Sequence, residues 1–426
     1  MKRRTARLLA LAAIALSALA APTLVAADNV TLSVWLGPNN TDAIKQIFDD
    51  YTKATGIQFD QTVFPVPFEQ NLLAKWATGE RPDILQFHAI GNWLVQLNPE
   101  QNLIDQSDMP FVKNTVAGLL DRAGNYRGKY YAAIIDYPFI DGVFYNKQVF
   151  QRLGLKIPTN YQELLAVCAA IKQKAPNVAP IYTGGGDQWP LQVLAFIMWN
   201  DDIKADARMI DDLNANKIKF TDPRFVAGIA KEKEILDKGY YNKDILTAKF
   251  TDEQSHLMDG SAAMVVNGSW IVGSLLDGYG LDKVNQTVGF FGLSARSNIV
   301  SWQTVGLGEF YRPKTGDDAH QAAAKDFINW VTGPYYKTYL DNSKQFPVMK
   351  GYSVPASGVA QASIDANNAL LKSSVAQYQQ TLQAAYGPFE SFLSAMVAGQ
   401  QTPLQVAQSL DTEFERSARQ QGLPGF

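Results

Sequence analysis

VTLSVWLGPNNTDAIKQIFDDYTKATGIQFDQTVFPVPFEQNLLAKWATGERPDILQFHA, residues 30–89, carries the pattern that decides the fold. Val30, Leu32 and Val34 alternate with Thr31, Ser33 and Trp35, which is the period of a strand. After a Gly-Pro-Asn-Asn turn, Ile44, Ile47, Phe48 and Tyr51 fall on one helical face. Gly56 stops that helix, and IQFDQTVF reads as a second strand. PFEQNLLAKWATG reads as a helix and PDILQFHA as a third strand. This β-α-β-α-β order predicts a parallel sheet with right-handed crossovers.

The pattern resumes beyond YYAAIIDYPFIDGVFYN. Thr159 and Asn160 open a helix, with Gln162 and Glu163 each three residues on, a doubled capping-box signal. Ala175-Pro176 ends it, VAPIYT reads as a strand, and GGGDQWP as a loop into the next helix. Ala323, Phe327, Trp330 and Val331 mark a helix closed by Gly333-Pro334. The last helix starts at Thr402-Pro403, with Gln405 completing a capping box and Leu404, Ala407, Leu410 and Phe414 on one side. No repeat, low-complexity stretch or flexible linker interrupts the chain.

The N-terminus has the three-part layout of a secretory signal peptide: Lys2, Arg3, Arg4 and Arg7, an Ala/Leu run from Leu8 to Ala20, then Val25, Ala26 and Ala27. We expect the cut after Ala27. The apolar run is short for a membrane span of about 20 residues. No Cys lies near the cut, so a lipid anchor there is excluded and the mature protein is expected free in a periplasm. Removing residues 1–27 takes away four positive charges, and the net charge goes from -3 to -7. Such a balance attracts neither nucleic acid nor an anionic membrane. What remains is too long for one core and suggests two domains.

Cys168 is the single cysteine, so it forms no internal disulfide, and its spacing with Leu164, Val167 and Ile171 reads as a buried, inert thiol. His88, His256 and His320 are scattered, with no HExxH motif or Cys/His cluster, so no metal or other cofactor is expected.

Several segments together resemble the extracellular solute-binding proteins of carbohydrate ABC importers, related to maltose- and glucose-binding proteins. They are VWLGPNN, PDILQFHAIG, GKYYAAIIDYPFIDGVFYNKQVFQRLGL, PTNYQELLAVCAAIK and PIYTGGGDQWPL, then DGSAAMVVNGSW, AAAKDFINWVTGPYYKTYLDNSKQFPV and GQQTPLQVAQSL. The resemblance implies an α/β, two-lobed periplasmic-binding-protein fold of class II type with three interlobe crossings. We place the crossings near residues 137–141, 301–305 and 345–348. Lobe 1 is then residues 28–138 plus 304–346, and lobe 2 residues 139–303 plus 347–426. The resemblance also implies a monomer that closes on a sugar by hinge bending and docks on membrane permease subunits.

A pyranose offers an apolar C–H face to an aromatic ring and a rim of hydroxyls to amides, carboxylates and imidazole. The resemblance maps such groups onto particular positions. Trp35 and Asn39 end the first strand; the alternatives are a core ring and a turn former. Gln86 and His88, two apart, share a strand face, and QFHA is similar to the QVHA of glucose/galactose-type binders. Asp136, Tyr137 and Asp141 bracket the first crossing, where the family's polar contact varies in position. Trp270 matches the family's main stacking tryptophan in the second lobe, with Asn267 either in contact or forming the turn that presents it. Trp302 and Gln303 precede the second crossing, the Trp reading equally as hinge packing. Tyr386, thirteen residues before Gly399, matches a stacking aromatic of maltose-type members, with Phe389 as a competitor. Asp187 and Trp189 approach the ligand, or cap a helix and fill the core.

An enzyme fits less well. A glycosidase needs two carboxylates roughly 5 to 9.5 Å apart, whereas Asp136 and Asp141 on an extended crossing stand about 16 Å apart and face opposite ways. There is no GxSxG elbow, and Gly184-Gly185-Gly186 has no Gly-Lys-Ser/Thr ending to hold a phosphate. Within the same fold, a polyamine, a peptide or a chelated metal is the rival solute. The candidates are mostly Trp, Tyr, Asn, Gln and His, a mixture suited to a neutral polyhydroxylated ligand.

Overall fold

Leu32 and Val34 are fully buried while Thr31 is exposed, and this alternation makes Thr31–Leu36 the strand β1. β1 lies between two parallel neighbours, β2 (Gln58–Val63) and β3 (Ile84–Gln86). The helix Asp42–Thr55 joins β1 to β2 and buries Ile44, Ile47, Phe48 and Tyr51. Gly56 ends it at φ 81, a left-handed conformation that costs glycine least. The helix Phe68–Ala77 joins β2 to β3. With β1 flanked this way, the loops after β1 and β3 open a crevice at the carboxyl edge of the sheet. The computed structural model describes residues 30–38, 40–304 and 308–426. The expected signal peptide with its cut, and the candidate Asn39, lie outside the described residues.

Further strands follow: β4 (Ala132–Ile134), β5 (Phe139–Asn146), β6 (Ala179–Ile181), β7 (Ala262–Gly268), β8 (Val288–Phe291), β9 (Val300–Gln303), β10 (Glu309–Tyr311) and β11 (Ser374–Ala376). β4 and β10 complete the first sheet, in the order β2-β1-β3-β10-β4. The second sheet runs β11-β9-β5-β7-β6, with β8 also paired to β5. β5 is buried on both faces: Val143 enters one core, while Ile140 and Phe144 enter another. The fold is thus α/β with two lobes, each sheet owning its hydrophobic core.

The chain changes lobe three times. It leaves the first sheet between Ile135 and Phe139 and returns between Gln303 and Glu309. The third passage lies later than the expected 345–348. Val116 N–H donates to the Val348 carbonyl, Lys350 N–H to that of Asn114, and the Tyr352 hydroxyl to that of Gly333, which ties this stretch to the first lobe. Ala360 already belongs to the second lobe's core.

Local signals hold in detail, with two adjustments. Thr402 and Gln405 cap the helix Pro403–Gln421 reciprocally. Leu404 in its first turn is 48% exposed, not part of the buried face. Asn160 caps the helix Tyr161–Lys174 by accepting from Glu163 N–H, while the Glu163 carboxylate accepts from Thr159 rather than from the cap residue. Cys168 is buried, and burial pushes its thiol well up.

Candidate functional site

The two lobes face each other across a cavity of about 150 Å³. The first lobe contributes the loops beyond its parallel strands. After β1 come Gly37, Pro38 and Thr41; after β2, Phe68 and Glu69; after β3, His88, Ile90 and Trp93. The His88 ring stands 5.9 Å from Phe68 and 5.7 Å from Trp93, so this wall is a patch of adjoining rings. Its Nε2 lies 2.8 Å from Glu69 Oε1. Burial acts to raise the Glu69 carboxyl, but hydrogen bonding and charge from His88 outweigh it and hold the group below its ordinary range.

Gln86 stands one layer behind this wall. Its side-chain oxygen accepts from Gly37 N–H at 2.9 Å and its amide donates to Asn40 Oδ1 at 2.7 Å, which fixes the loop after β1. It is fully buried and does not reach the cavity.

The opposite wall comes from five separated stretches of the second lobe, which bring Asp187, Trp189, Phe250, Trp270, Gln303 and Glu390 to the cavity. Trp270 is half-buried, with Trp189 at 5.8 Å on one side and Phe139 at 5.8 Å on the other. Its ring lies back over Gly268: a Cβ there would sit 1.9 Å from the indole. Gln188, at φ 65 and ψ -55, turns the backbone between Asp187 and Trp189, and its side chain accepts from Ser391. Asp187 accepts from Phe250 N–H at 2.9 Å, capping the helix Phe250–Asp259, and pairs with Lys249 at 3.1 Å. Gly184, Gly185 and Gly186 press on the backbone of residues 245–250, where no Cβ fits. The glycine run serves close packing of two chain segments.

Of the residues singled out in the sequence, the structure brings His88, Asp187, Trp189, Trp270 and Gln303 together in the cavity wall. The others stand elsewhere, each for a local reason. Trp35 is a core ring: strand alternation directs it under the helix Phe68–Ala77, 5.2 Å from Phe64 and 6.4 Å from Trp76. Tyr386 is buried in the second core beside Tyr378 and Phe389. Asn267 is buried and donates to Glu253 Oε2 at 2.6 Å, bracing the strand end that presents Trp270. Asp141 is buried on β5, accepting from Ser301 at 2.9 Å and from Gln303 at 2.8 Å, so it holds the cavity glutamine in place. Burial pushes its carboxyl up to about 7, against the lowering effect of those two bonds. Trp302, on the neighbouring strand face, packs against the first lobe's core. Asp136 and Tyr137 line a smaller cavity of about 50 Å³ that shares Thr41 and Trp270 with the larger one. There Asp136 accepts from the Tyr339 hydroxyl, and Tyr137 donates to Asn367 at 3.0 Å.

Phe68, Glu69, Trp93, Phe250 and Glu390 are wall residues that the sequence reading missed. The rule that flagged the ends of β1 and β3 applies equally to β2, whose end leads into Phe68 and Glu69. Phe250 and Glu390 belong to helix starts in the second lobe, for which no strand-end signal exists. Among the described residues no group of three or more His, Cys, Asp or Glu could hold a metal ion. Among them, too, no helix is long and apolar enough to cross a membrane.

The family model of bacterial extracellular solute-binding proteins matches residues 46–368. The multiple sugar-binding protein of Streptococcus mutans is 24% identical over 196 residues, a match spanning 45% of this chain and 45% of that protein, about half of each. A chitin oligosaccharide binding protein superposes with a TM-score of 0.76 at 23% identity, covering 92% of this chain and 100% of that one. A sugar transporter protein of Bacillus licheniformis, solved in complex with stachyose, gives 0.71 at 22% identity, covering 91% and 100%. At such identities the structural likeness shows the fold.

Proposed function

This chain belongs to the family of bacterial extracellular solute-binding proteins, and from that premise we propose that it captures a neutral sugar between its lobes and delivers it to the permease of an ABC importer. The protein is a binding protein, not an enzyme. The observation that carries the reading is the pair of facing aromatic walls: Phe68, His88 and Trp93 on one lobe, Trp189, Phe250 and Trp270 on the other. Rings on both sides match the two C–H faces of a pyranose, and Gln303, Glu69 and Asp187 supply acceptors and donors for its rim. The sugars named for the S. mutans and B. licheniformis relatives support the same class.

In this reading the lobes are the two assigned from the sequence, residues 28–138 plus 304–346 and residues 139–303 plus 347–426, with the boundary at the third passage moved beyond Tyr352. Closure about the three passages brings the walls together and excludes water, and preference of the ligand for the closed form drives the population shift. Trp35, Gln86, Asp136, Tyr137, Asp141, Asn267, Trp302 and Tyr386 act as support or second-cavity residues rather than as primary contacts. The mature chain acts as a monomer in the periplasm.

A polyamine is the second reading, because three carboxylates face the cavity: Glu69, Asp187 and Glu390. Two of the three already have side-chain partners, Glu69 with His88 and Asp187 with Lys249. The test titrates purified protein with galactose, raffinose, stachyose, mannobiose and chitobiose, and separately with spermidine and a dipeptide, following tryptophan fluorescence and heat. Saturable binding of a sugar with a fluorescence change is expected. Spermidine binding without sugar binding overturns the reading, and release of reducing ends from an oligosaccharide would restore the glycosidase.

A further inference from the structure

Glu390 is the anomaly of the cavity wall. It is 7% exposed, it faces the cavity from the helix Phe389–Val397, and its side-chain partner is the amide of Gln70, 3.2 Å away on the opposite lobe. A carboxylate this deep costs free energy unless a charge or good donors meet it. The other two wall carboxylates are met, Glu69 by His88 at 2.8 Å and Asp187 by Lys249 at 3.1 Å. Besides its own backbone N–H, Glu390 is met by one neutral amide, that of Gln70, and this bond spans the two lobes.

We propose that Glu390 is the specificity-determining carboxylate of the site: ionised in the closed complex, it accepts hydrogen bonds from two donors on a neutral sugar and gives up a proton to solvent as it does so. The proposal rests on the sugar-binding reading and adds a residue and a linkage to it. Burial, reinforced by the charge on Glu69, pushes the Glu390 carboxyl up to about 7, against the lowering effect of its own helix's N–H and of Gln70. Ligand hydroxyls donating to it favour the ionised form, so binding lowers that value and the proton leaves. Across the cavity His88 is engaged with Glu69, and the other ionisable groups on the surrounding elements bring no cation to Glu390. Tyr378 and Tyr386 stand behind it with hydroxyls pushed far up by burial; Glu413, beneath Gly387, pairs with Arg416 on the surface. No Lys or Arg is among the residues lining the cavity. A uronic acid would place its charge against Glu69 and Glu390, and the site therefore selects neutral over acidic sugars.

Calorimetric titrations with galactose, raffinose, stachyose and galacturonate, at pH 6, 7 and 8.5 in buffers of different ionisation enthalpy, test this. Wild type is expected to release most of one proton per bound sugar at pH 6 and almost none at pH 8.5. Its affinity should rise by up to about tenfold per pH unit below 7, and galacturonate should not bind. In Glu390→Gln the linkage should vanish, affinity at pH 8.5 should fall by about tenfold or more, and galacturonate should be rejected less strongly. Gln70→Ala, which leaves the carboxylate in place, should keep the proton release while weakening binding a few-fold. A sugar bound with no proton release, or with the same pH profile in Glu390→Gln, overturns the proposal alone. Loss of linkage in Gln70→Ala overturns it too. No heat from any sugar overturns the sugar reading and this proposal together.

Discussion

Trp35 and Trp270 both mark the end of a strand, one in each lobe, and the structure uses them in opposite ways. Trp35 is the fifth residue of β1, still inside the pleat, so alternation commits its ring to the sheet face covered by the helix Phe68–Ala77. There it is 4% exposed, edge-on to Phe64 and Trp76, with Lys75 Nζ 5.1 Å from its ring centre. Trp270 comes two residues after β7 stops, at the first residue of the helix Trp270–Tyr279. No pleat constrains it, and its ring lies half-open in the wall of the cavity. The same residue type serves stability in one lobe and recognition in the other, and the difference is whether the strand has ended.

The contrast predicts separable losses. Trp35→Ala removes a fully packed ring and should cost about 3–5 kcal/mol of stability, read as a lower midpoint in urea, while sugar affinity measured well below that midpoint stays within about threefold. A large affinity loss in a variant that unfolds normally would move Trp35 out of the core role. Trp270→Ala should do the reverse: sugar affinity falls by about 2 kcal/mol, on the order of 30-fold, and the unfolding midpoint shifts less than in Trp35→Ala because the ring is only partly buried and faces the cavity. Equal stability losses in the two variants would erase the distinction.

The same logic explains what the sequence makes legible. The stretch 30–89 folds as read because its signals are local: period-2 and helical periodicities, Gly56, and the Pro-flanked starts. Thr402 and Gln405 are legible for the same reason. The third passage was misplaced because what holds residues 348–350 to the first lobe is backbone pairing with residues 114–116, more than two hundred positions away. In the site, strand-end polarity located the right neighbourhood but not the depth. Gln86, Asp141 and Asn267 are polar, near strand ends, and buried one layer behind the cavity, where each positions a wall element: the loop after β1, Gln303, and the strand carrying Trp270. Sequence gives the face a side chain takes, and a residue two positions along the same face can be either a contact or its support. His88 reaches the wall and Gln86 does not: Gln86 is the last residue of β3, and His88 stands two residues beyond the strand's end.

Gly268 offers the finest test of how Trp270 is held. It is the last residue of β7, fully within the sheet, and the indole folds back across it so closely that an added Cβ would fall 1.9 Å from one ring carbon and 2.3 Å from two more. Contacts that short are not tolerated, so in Gly268→Ala either the backbone or the ring must move. The backbone is anchored, since Gly268 pairs with Asp141 across β5 and its N–H donates to Asn267 Oδ1 at 2.8 Å. The ring has Trp189 and Phe139 beside it and the cavity in front, so the ring moves. The variant keeps every aromatic residue of the site yet should bind sugar about tenfold more weakly, roughly 1.4 kcal/mol, with the tryptophan emission of the unliganded protein altered. Wild-type affinity in Gly268→Ala would mean that the half-open ring is free to choose its position and that the fold does not aim it.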